Sequence, residues 1–190
     1  QGALPTYKAM DHAIEMAKKT GIAAVGIKNS SHFGPAGAYT LHAAKKNMIA
    51  LAFCNSDSFV RLYEGAERFH GTNPISMAVP SGEQDPWLFD MATSSVPFNR
   101  VELFRSLDQN LPQDVASDES GNSTQDPHIA EMLDPLGARF GFKGAGLGGI
   151  SEIFSAVLTG MKLSPELLPM SGPDMTCLLY TSDAADDFTS

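Results

Sequence analysis

An α/β fold is predicted by three features of the sequence. Ile22 to Lys28, Ala36 to Lys46 and Met48 to Cys54 follow one another as strand, helix and strand, the succession that builds a right-handed parallel βαβ crossover. Ile75 to Val79 and Trp87 to Met91 read as two strands flanking a turn at Pro80-Ser81-Gly82, a hairpin-like pair. Lys143 to Leu163 carries Leu147, Ile150, Ile153, Phe154, Val157 and Leu158 at helical spacing, which predicts a long, well-buried helix.

The elements follow in chain order. Tyr7 to Lys19 puts Met10, Ala13, Ile14 and Ala17 on one helical face, and Gly21 stops the helix. The mostly apolar Ile22 to Lys28 strand leads into Asn29-Ser30-Ser31-His32-Phe33-Gly34-Pro35-Ala36-Gly37, where Pro35 suits the first turn of the next helix. After Cys54 the chain turns polar through Asn55-Ser56-Asp57-Ser58, and Gly71-Thr72-Asn73-Pro74 forms a loop before the hairpin. The second hairpin strand runs out into Asp90-Met91-Ala92-Thr93-Ser94. Pro97 to Leu107 reads as a helix with Arg100 and Arg105 on its polar face. Leu111 to Asp134, broken by Pro112, Gly121 and Pro127, reads as a largely irregular connection in which only His128 to Leu133 is briefly helical.

Composition bounds what the chain does. Its start at Gln1 reads as that of an internal fragment, and Cys177-Leu178-Leu179-Tyr180-Thr181-Ser182-Asp183-Ala184-Ala185-Asp186-Asp187 resembles the translation of an adaptor used in transposase-based sequencing libraries. The expected organisation is therefore one partial catalytic domain over residues 1–176 and a non-native tail over 177–190. Without that tail three aspartates and no basic residue are lost, and the formal charge moves from -9 to -6. An acidic chain without a basic, aromatic-interleaved cluster is a poor match for nucleic acid. No apolar run reaches the ~18 residues of a membrane span. Cys54 stands alone in an apolar strand, as a small hydrophobe would. With no disulfide framework, a soluble protein of the reducing cytoplasm is expected.

His32 is the leading site residue. It lies between a predicted strand end and a helix start, where α/β sheets collect ligands, and its side chain exchanges protons near neutrality. Gly34 and Gly37 allow a ligand close to the backbone; a capping or packing histidine is the alternative. Gly144-Ala145-Gly146-Leu147-Gly148-Gly149 satisfies G-x-G-x-x-G, but no good strand precedes it and no second strand with an acidic residue follows. Close helix packing explains those small residues better than a Rossmann phosphate loop. Lys143 opens the same helix, where a cation gains nothing from the helix dipole, so an anionic ligand or plain solvation accounts for it. Asp90 could bind a ribose hydroxyl, orient a histidine or cap the next turn. His12, His42, His70 and His128 lack ligand-like spacing, so no metal site is expected, and neither Ser31 nor Ser56 sits in a G-x-S-x-G elbow.

Four motifs, Asn29 to Gly37, Gly71-Thr72-Asn73-Pro74, Phe89-Asp90-Met91-Ala92-Thr93-Ser94 and Gly141-Phe142-Lys143-Gly144, occur in an order that resembles the malate/L-lactate dehydrogenase-like oxidoreductases. Sulfolactate and ureidoglycolate dehydrogenases belong to this family, which is distinct from the Rossmann-fold lactate dehydrogenases. The resemblance runs from Gln1 to about Thr176. It implies a non-Rossmann, mixed-sheet α/β domain that binds NAD or NADP, a homodimer, and hydride transfer between the cofactor and a small 2-oxo or 2-hydroxy acid. By motif, His32 matches the residue that exchanges the substrate hydroxyl proton, and Ser56, Asp90, Met91, Ala92 and Lys143 match cofactor contacts. Reduction of a cyclic imine by the same geometry, or a non-catalytic scaffold, are the alternatives.

The chain also departs from the family pattern. Leu62-Tyr63-Glu64-Gly65 stands where many relatives have Pro-x-Gly-Gly, and Asn99-Arg100 where a Gly-Lys is common, which leaves NAD against NADP open. The family's amino-terminal Ser-His-Gly segment, with its carboxylate-binding arginine, and its carboxyl-terminal part have no match. Half of the substrate pocket is thus expected to lie outside this chain, and the fragment alone is expected not to turn over.

Overall fold

The structure, a computed structural model, describes residues 2–169; the expected domain end at Thr176 and the tail beyond it lie outside the described residues. Helix α1 (Ala3–Thr20) buries Pro5, Ala9 and Ile14. It ends where Gly21 takes φ 83 and donates its N–H to the Ala17 carbonyl at 2.8 Å, with Lys18 and Lys19 beside the negative end of the dipole.

Residues 22–28 depart from expectation. They take up no regular secondary structure, with more and less exposed side chains alternating, and they join no sheet among the described residues. The period of two is a strand's, yet a strand exists only by pairing, and Ile22 is 84% exposed. The expected parallel crossover is accordingly not formed here. Helix α2 (Gly37–Ala44) follows, as expected.

The strands of the described residues are β1 (Ala50–Phe53), β2 (Val60–Arg61), β3 (Arg68–His70), β4 (Ile75–Ser81), β5 (Gln84–Met91), β6 (Ala116–Ser117) and β7 (Met132–Leu133). One antiparallel sheet has the order β1-β4-β5, its hairpin turning at Gly82-Glu83 rather than at Pro80-Ser81-Gly82. Ala50, Ser76 and Ala78 are buried on the face that meets α2, where the Thr40 and Ser76 hydroxyls share a hydrogen bond of 2.8 Å. The other face aligns Leu51, Met77 and Phe89 across the strands, and Val79 with Trp87; Leu51 and Trp87 are each 53% exposed. This apolar face is uncovered in the described residues.

The second sheet has the order β3-β2-β7-β6 and is mixed, since β2 and β7 run parallel while the other pairs are antiparallel. Helix α3 (Phe98–Ser106) packs on it through Val101, which joins Val60, Leu111, Val115, Ala116, Ala130 and Leu133 in the larger core. Fully burying such a side chain contributes roughly 1.5 to 3 kcal/mol. Arg105 is no idle member of a polar face: it donates to the Pro127 and Ala130 carbonyls at 2.9 and 3.4 Å. His128 to Leu133 is a turn leading into β7 rather than a helix, because Leu133 donates its N–H to the Phe59 carbonyl and Asp134 to that of Val115. Long-range pairing overrides the local helical tendency. The buried Asp134 accepts from Arg61 and from the Ser117 hydroxyl, both at 2.6 Å.

Helix α4 (Phe142–Glu152) gives way to a π turn at Ile153–Val157, and a 3-10 turn follows at Ser164–Glu166. The expected burial is inverted. Gly144, Gly148, Ser151, Glu152 and Ala156 are buried, whereas Ile150, Ile153, Phe154, Val157 and Leu158 are exposed. Small residues face inward because the backbone of α4 lies against Leu136, whose carbonyl would stand 2.3 Å from a Cβ on Gly144.

Between β2 and β3, Glu64 is exposed and holds φ 59, a left-handed conformation that costs a non-glycine residue about 1 to 2 kcal/mol. Glu64→Gly is expected to raise stability by roughly 0.5 to 1 kcal/mol after the entropy of glycine in the unfolded chain is counted. An unchanged or lower urea midpoint, at constant m, would contradict this.

Candidate functional site

Strands β1 and β5 end, and β4 begins, at the same end of the antiparallel sheet, because Phe53 pairs with Ile75 and Ile75 with Met91. That register gathers three loops: Asn55-Ser56, Gly71 to Pro74, and Asp90-Met91-Ala92. A succession of hydrogen bonds then crosses them. Thr72 N–H donates to Ser56 Oγ at 3.1 Å, Thr93 N–H to the Thr72 carbonyl at 2.9 Å, Leu136 N–H to the Thr93 carbonyl at 3.0 Å, and Gly144 N–H to the Leu136 carbonyl at 3.1 Å. Ser56, the Asp90-Met91-Ala92 turn and the start of α4, with Lys143, are thereby held in one rigid framework.

Asp90 ties the His32 loop to the same place. Its Oδ2 accepts the Gly37 N–H at 2.7 Å, so it caps α2, not the turn that follows it in sequence. It makes no hydrogen bond to His32, and Oδ1 accepts none among the described residues. The loop itself is anchored by Gly2 N–H on the His32 carbonyl at 3.2 Å, by the Tyr39 hydroxyl on the Phe33 carbonyl, and by stacking of the Phe33 and Tyr39 rings 5.3 Å apart. These contacts fix the backbone and leave the His32 side chain exposed. Gly34 N–H donates to His32 Nδ1 at 3.1 Å, which assigns the proton of the neutral ring to Nε2.

Lys143 is exposed in the first turn of α4 and makes no ion pair among the described residues; its Nζ lies 5.4 Å from the centroid of the Phe140 ring. Cation and helix N-terminus together form an anion-attracting corner. Met91 and Ala92 are half-buried.

One feature of this end of the sheet escapes sequence reading. Glu152 is 6% exposed and receives Asn73 Nδ2 at 2.8 Å, Ser164 Oγ and N–H each at 2.6 Å, and Asn55 Nδ2 at 3.4 Å. His70 Nδ1, also buried, stands 3.7 Å from its Oε2, too far for a good hydrogen bond. Burial alone would raise the Glu152 pKa, but His70 and the Ser164 and Asn73 donors outweigh it and hold the carboxyl below its ordinary value. Burial, with Glu152 nearby, pushes the Cys54 thiol up to about 12, so it packs as an inert hydrophobe. The available sequence signal was a single carboxylate inside an otherwise small and apolar helix, which must find donors if buried.

The donor set suits a dinucleotide. An exposed imidazole Nε2 on a loop, an Asp90 oxygen at the end of β5 open to a hydroxyl, and a lysine in the first turn of α4 open to a phosphate are each tied by backbone hydrogen bonds to one sheet end. Known proteins share this arrangement of sequence and fold. A family model described as malate/L-lactate dehydrogenase matches residues 1–181. The malate dehydrogenase of Pyrococcus abyssi is 40% identical over 166 residues, 84% of this chain and 46% of that protein. Among solved structures, sulfolactate dehydrogenase from Methanocaldococcus jannaschii superposes with a TM-score of 0.82 at 31% identity, over 91% of this chain and 49% of that one. The Δ1-piperideine-2-carboxylate reductase of Pseudomonas syringae pvar. tomato does so with a TM-score of 0.79 at 29% identity, over 87% and 50%. The chain thus spans about half the length of the relatives it matches.

Proposed function

Since the chain belongs to the malate/L-lactate dehydrogenase family, we propose that at the full length of its relatives it transfers hydride between NAD(P)H and the carbonyl carbon of a small 2-oxo acid. His32 exchanges the hydroxyl proton, and Ser56, Asp90, Met91, Ala92 and Lys143 hold the cofactor. The observation that carries this reading is the placement of an exposed His32 on the loop that Asp90 ties to the sheet end shared with Ser56.

The residues divide the work by their chemistry. The Lys143 ammonium and the positive N-terminal end of α4, ahead of the Gly144 N–H that Leu136 already takes, attract phosphate oxygens, and Asp90 Oδ1 accepts from a ribose hydroxyl. The nicotinamide, when bound, supplies or takes up the hydride. His32 keeps its neutral-state proton on Nε2, directed at a substrate oxygen by the Gly34 N–H behind it. Full transfer to a developing alkoxide starts from the imidazolium, protonated on both nitrogens, and leaves a neutral ring with its proton on Nδ1; the Gly34 contact therefore belongs only to the Nε2–H tautomer, and the ring releases that N–H in order to act.

A homodimer and a cytoplasmic location are part of the same proposal. The uncovered face of Leu51, Phe89 and Trp87 supports assembly, and the unpaired Cys54 suits a reducing compartment. Likeness to a cyclic-imine reductase supports a second reading, C=N reduction with the same proton donor. Measured on the protein extended to the length of its relatives, kcat/KM with NADH or NADPH should be higher for oxaloacetate or pyruvate than for a cyclic imino acid. The reverse order selects the second reading, and no turnover with either class overturns both.

A further inference from the structure

Glu152 lies deep under the site and touches none of the groups assigned to the cofactor, yet one residue connects it to them. Asn73 is fully buried, and its side-chain amide is used at both ends. Nδ2 donates to Glu152 Oε2 at 2.8 Å and to the Gly148 carbonyl at 3.2 Å; Oδ1 accepts the Ser56 N–H at 3.1 Å. The two ends are not interchangeable. Turning the amide over would set Oδ1 against a carboxylate and a carbonyl, and the NH2 against the Ser56 N–H, three like-with-like contacts at a fully buried side chain. Glu152, together with the Gly148 carbonyl, thus favours the way Asn73 faces, with the Ser164 hydroxyl a further, long contact of Oδ1 at 3.5 Å, and Asn73 in turn holds the Ser56 N–H.

We infer that Glu152 is a positioning residue of the cofactor site, acting through the Asn73 amide to fix Ser56. This rests on the reading of Ser56 as a cofactor contact. Two further observations fit a built device rather than incidental packing. Four donors from three separate segments converge on this one carboxylate, and the helix leaves α geometry for a π turn at the very next residue, Ile153. Ser56 Oγ is itself occupied by the Thr72 N–H, so a shift of its backbone moves the Thr72 to Thr93 link and the Asp90-Met91-Ala92 turn with it.

Glu152→Gln separates positioning from simple stability. The new amide nitrogen takes the Oε2 place, because there the Ser164 hydroxyl can turn to accept, whereas at Oε1 a backbone N–H cannot; at Oε2 it meets Asn73 donor to donor. Amide hydrogen exchange, read by NMR on the 190-residue chain, should show the Ser56 N–H exchanging about tenfold faster in Glu152→Gln relative to the Ala78 N–H in the sheet core. Asn73→Gly, which tolerates the φ of 34 at that position, should produce the same change, and the double variant no more. Val101→Ala, a truncation in the other core, should lower Tm without moving the Ser56-to-Ala78 ratio. In the protein extended to the length of its relatives, NADH titrated by fluorescence should bind the Glu152→Gln variant about fivefold to tenfold more weakly than the unaltered protein. A Ser56 ratio in Glu152→Gln equal to that in Val101→Ala overturns the positioning role. A loosened Ser56 with unchanged NADH affinity leaves the Glu152 to Ser56 coupling standing and overturns the cofactor role of Ser56.

Discussion

In the full-length protein, His32→Ala is expected to lower kcat by ~10²- to 10⁴-fold while leaving the NADH dissociation constant within about twofold. That span corresponds to roughly 3 to 5.5 kcal/mol of lost transition-state stabilisation. The split follows from the geometry. The loop backbone is fixed by groups other than the imidazole: Gly2 N–H on the His32 carbonyl, the Phe33 and Tyr39 stack, and Asp90 on Gly37. Removing the ring therefore removes the proton carrier without unseating the loop, and the cofactor contacts lie on other segments. His32→Asn offers a hydrogen bond without a titrating proton and should recover only a small part of the rate. Turnover of the alanine variant within about threefold of the unaltered enzyme, with cofactor bound, would exclude His32 from proton transfer and favour a scaffold role for its loop.

Much of the fold was legible where it is decided locally. Helix α1 announces itself by the spacing of Met10, Ile14 and Ala17 and by Gly21, and the hairpin of β4 and β5 by a turn between two strand-like runs; both depend on residues close in sequence. The two-residue strands β2, β6 and β7 were not legible, since each exists only because a distant segment lies beside it, Val60 beside Leu133 and Ala116 beside the same leucine. Residues 22–28 show the converse, a strand pattern without a strand to pair with among the described residues. In α4 the apolar periodicity was real but did not predict the inward face, because backbone contact at Leu136 admits only glycine and outranks side-chain hydrophobicity at that point.

The candidate site divides in the same way. His32, Asp90 and Lys143 were visible because each is a chemically distinctive side chain at the edge of an element. Met91, Ala92 and Ser56 have no such distinction and came only through the family resemblance. Glu152 and Asn73 stand 79 positions apart, and His70 reaches the same carboxylate from a third segment. No spacing rule joins residues that only the folded chain brings together, although a carboxylate in a glycine-rich apolar helix states that a partner must exist.

The seating of α4 can be tested by two alanines with opposite expected effects. At Gly144 a Cβ would lie 2.3 Å from the Leu136 oxygen, 2.4 Å from its nitrogen and 2.9 Å from its carbonyl carbon. All three are backbone atoms, so no rotamer change relieves the overlap, and the Gly144 N–H bond to the same carbonyl would be lost as the helix withdraws. Gly144→Ala is expected to cost about 3 kcal/mol or more, at the upper end for overpacking. The damage should travel: Gly148 lies against His70 and Thr93, and its carbonyl accepts from Asn73, so a displaced α4 disturbs the Glu152 network and the Lys143 corner together. At Gly146, two residues on, a Cβ meets nothing within 4 Å. There alanine only replaces a poor helix former with a better one, and Gly146→Ala should stabilise by roughly 0.5 to 1 kcal/mol. Urea denaturation of the two variants should give midpoint shifts of opposite sign. Shifts of the same sign and size would mean that α4 does not rest on Leu136, and the framework that carries Lys143 to the sheet end would lose its last link.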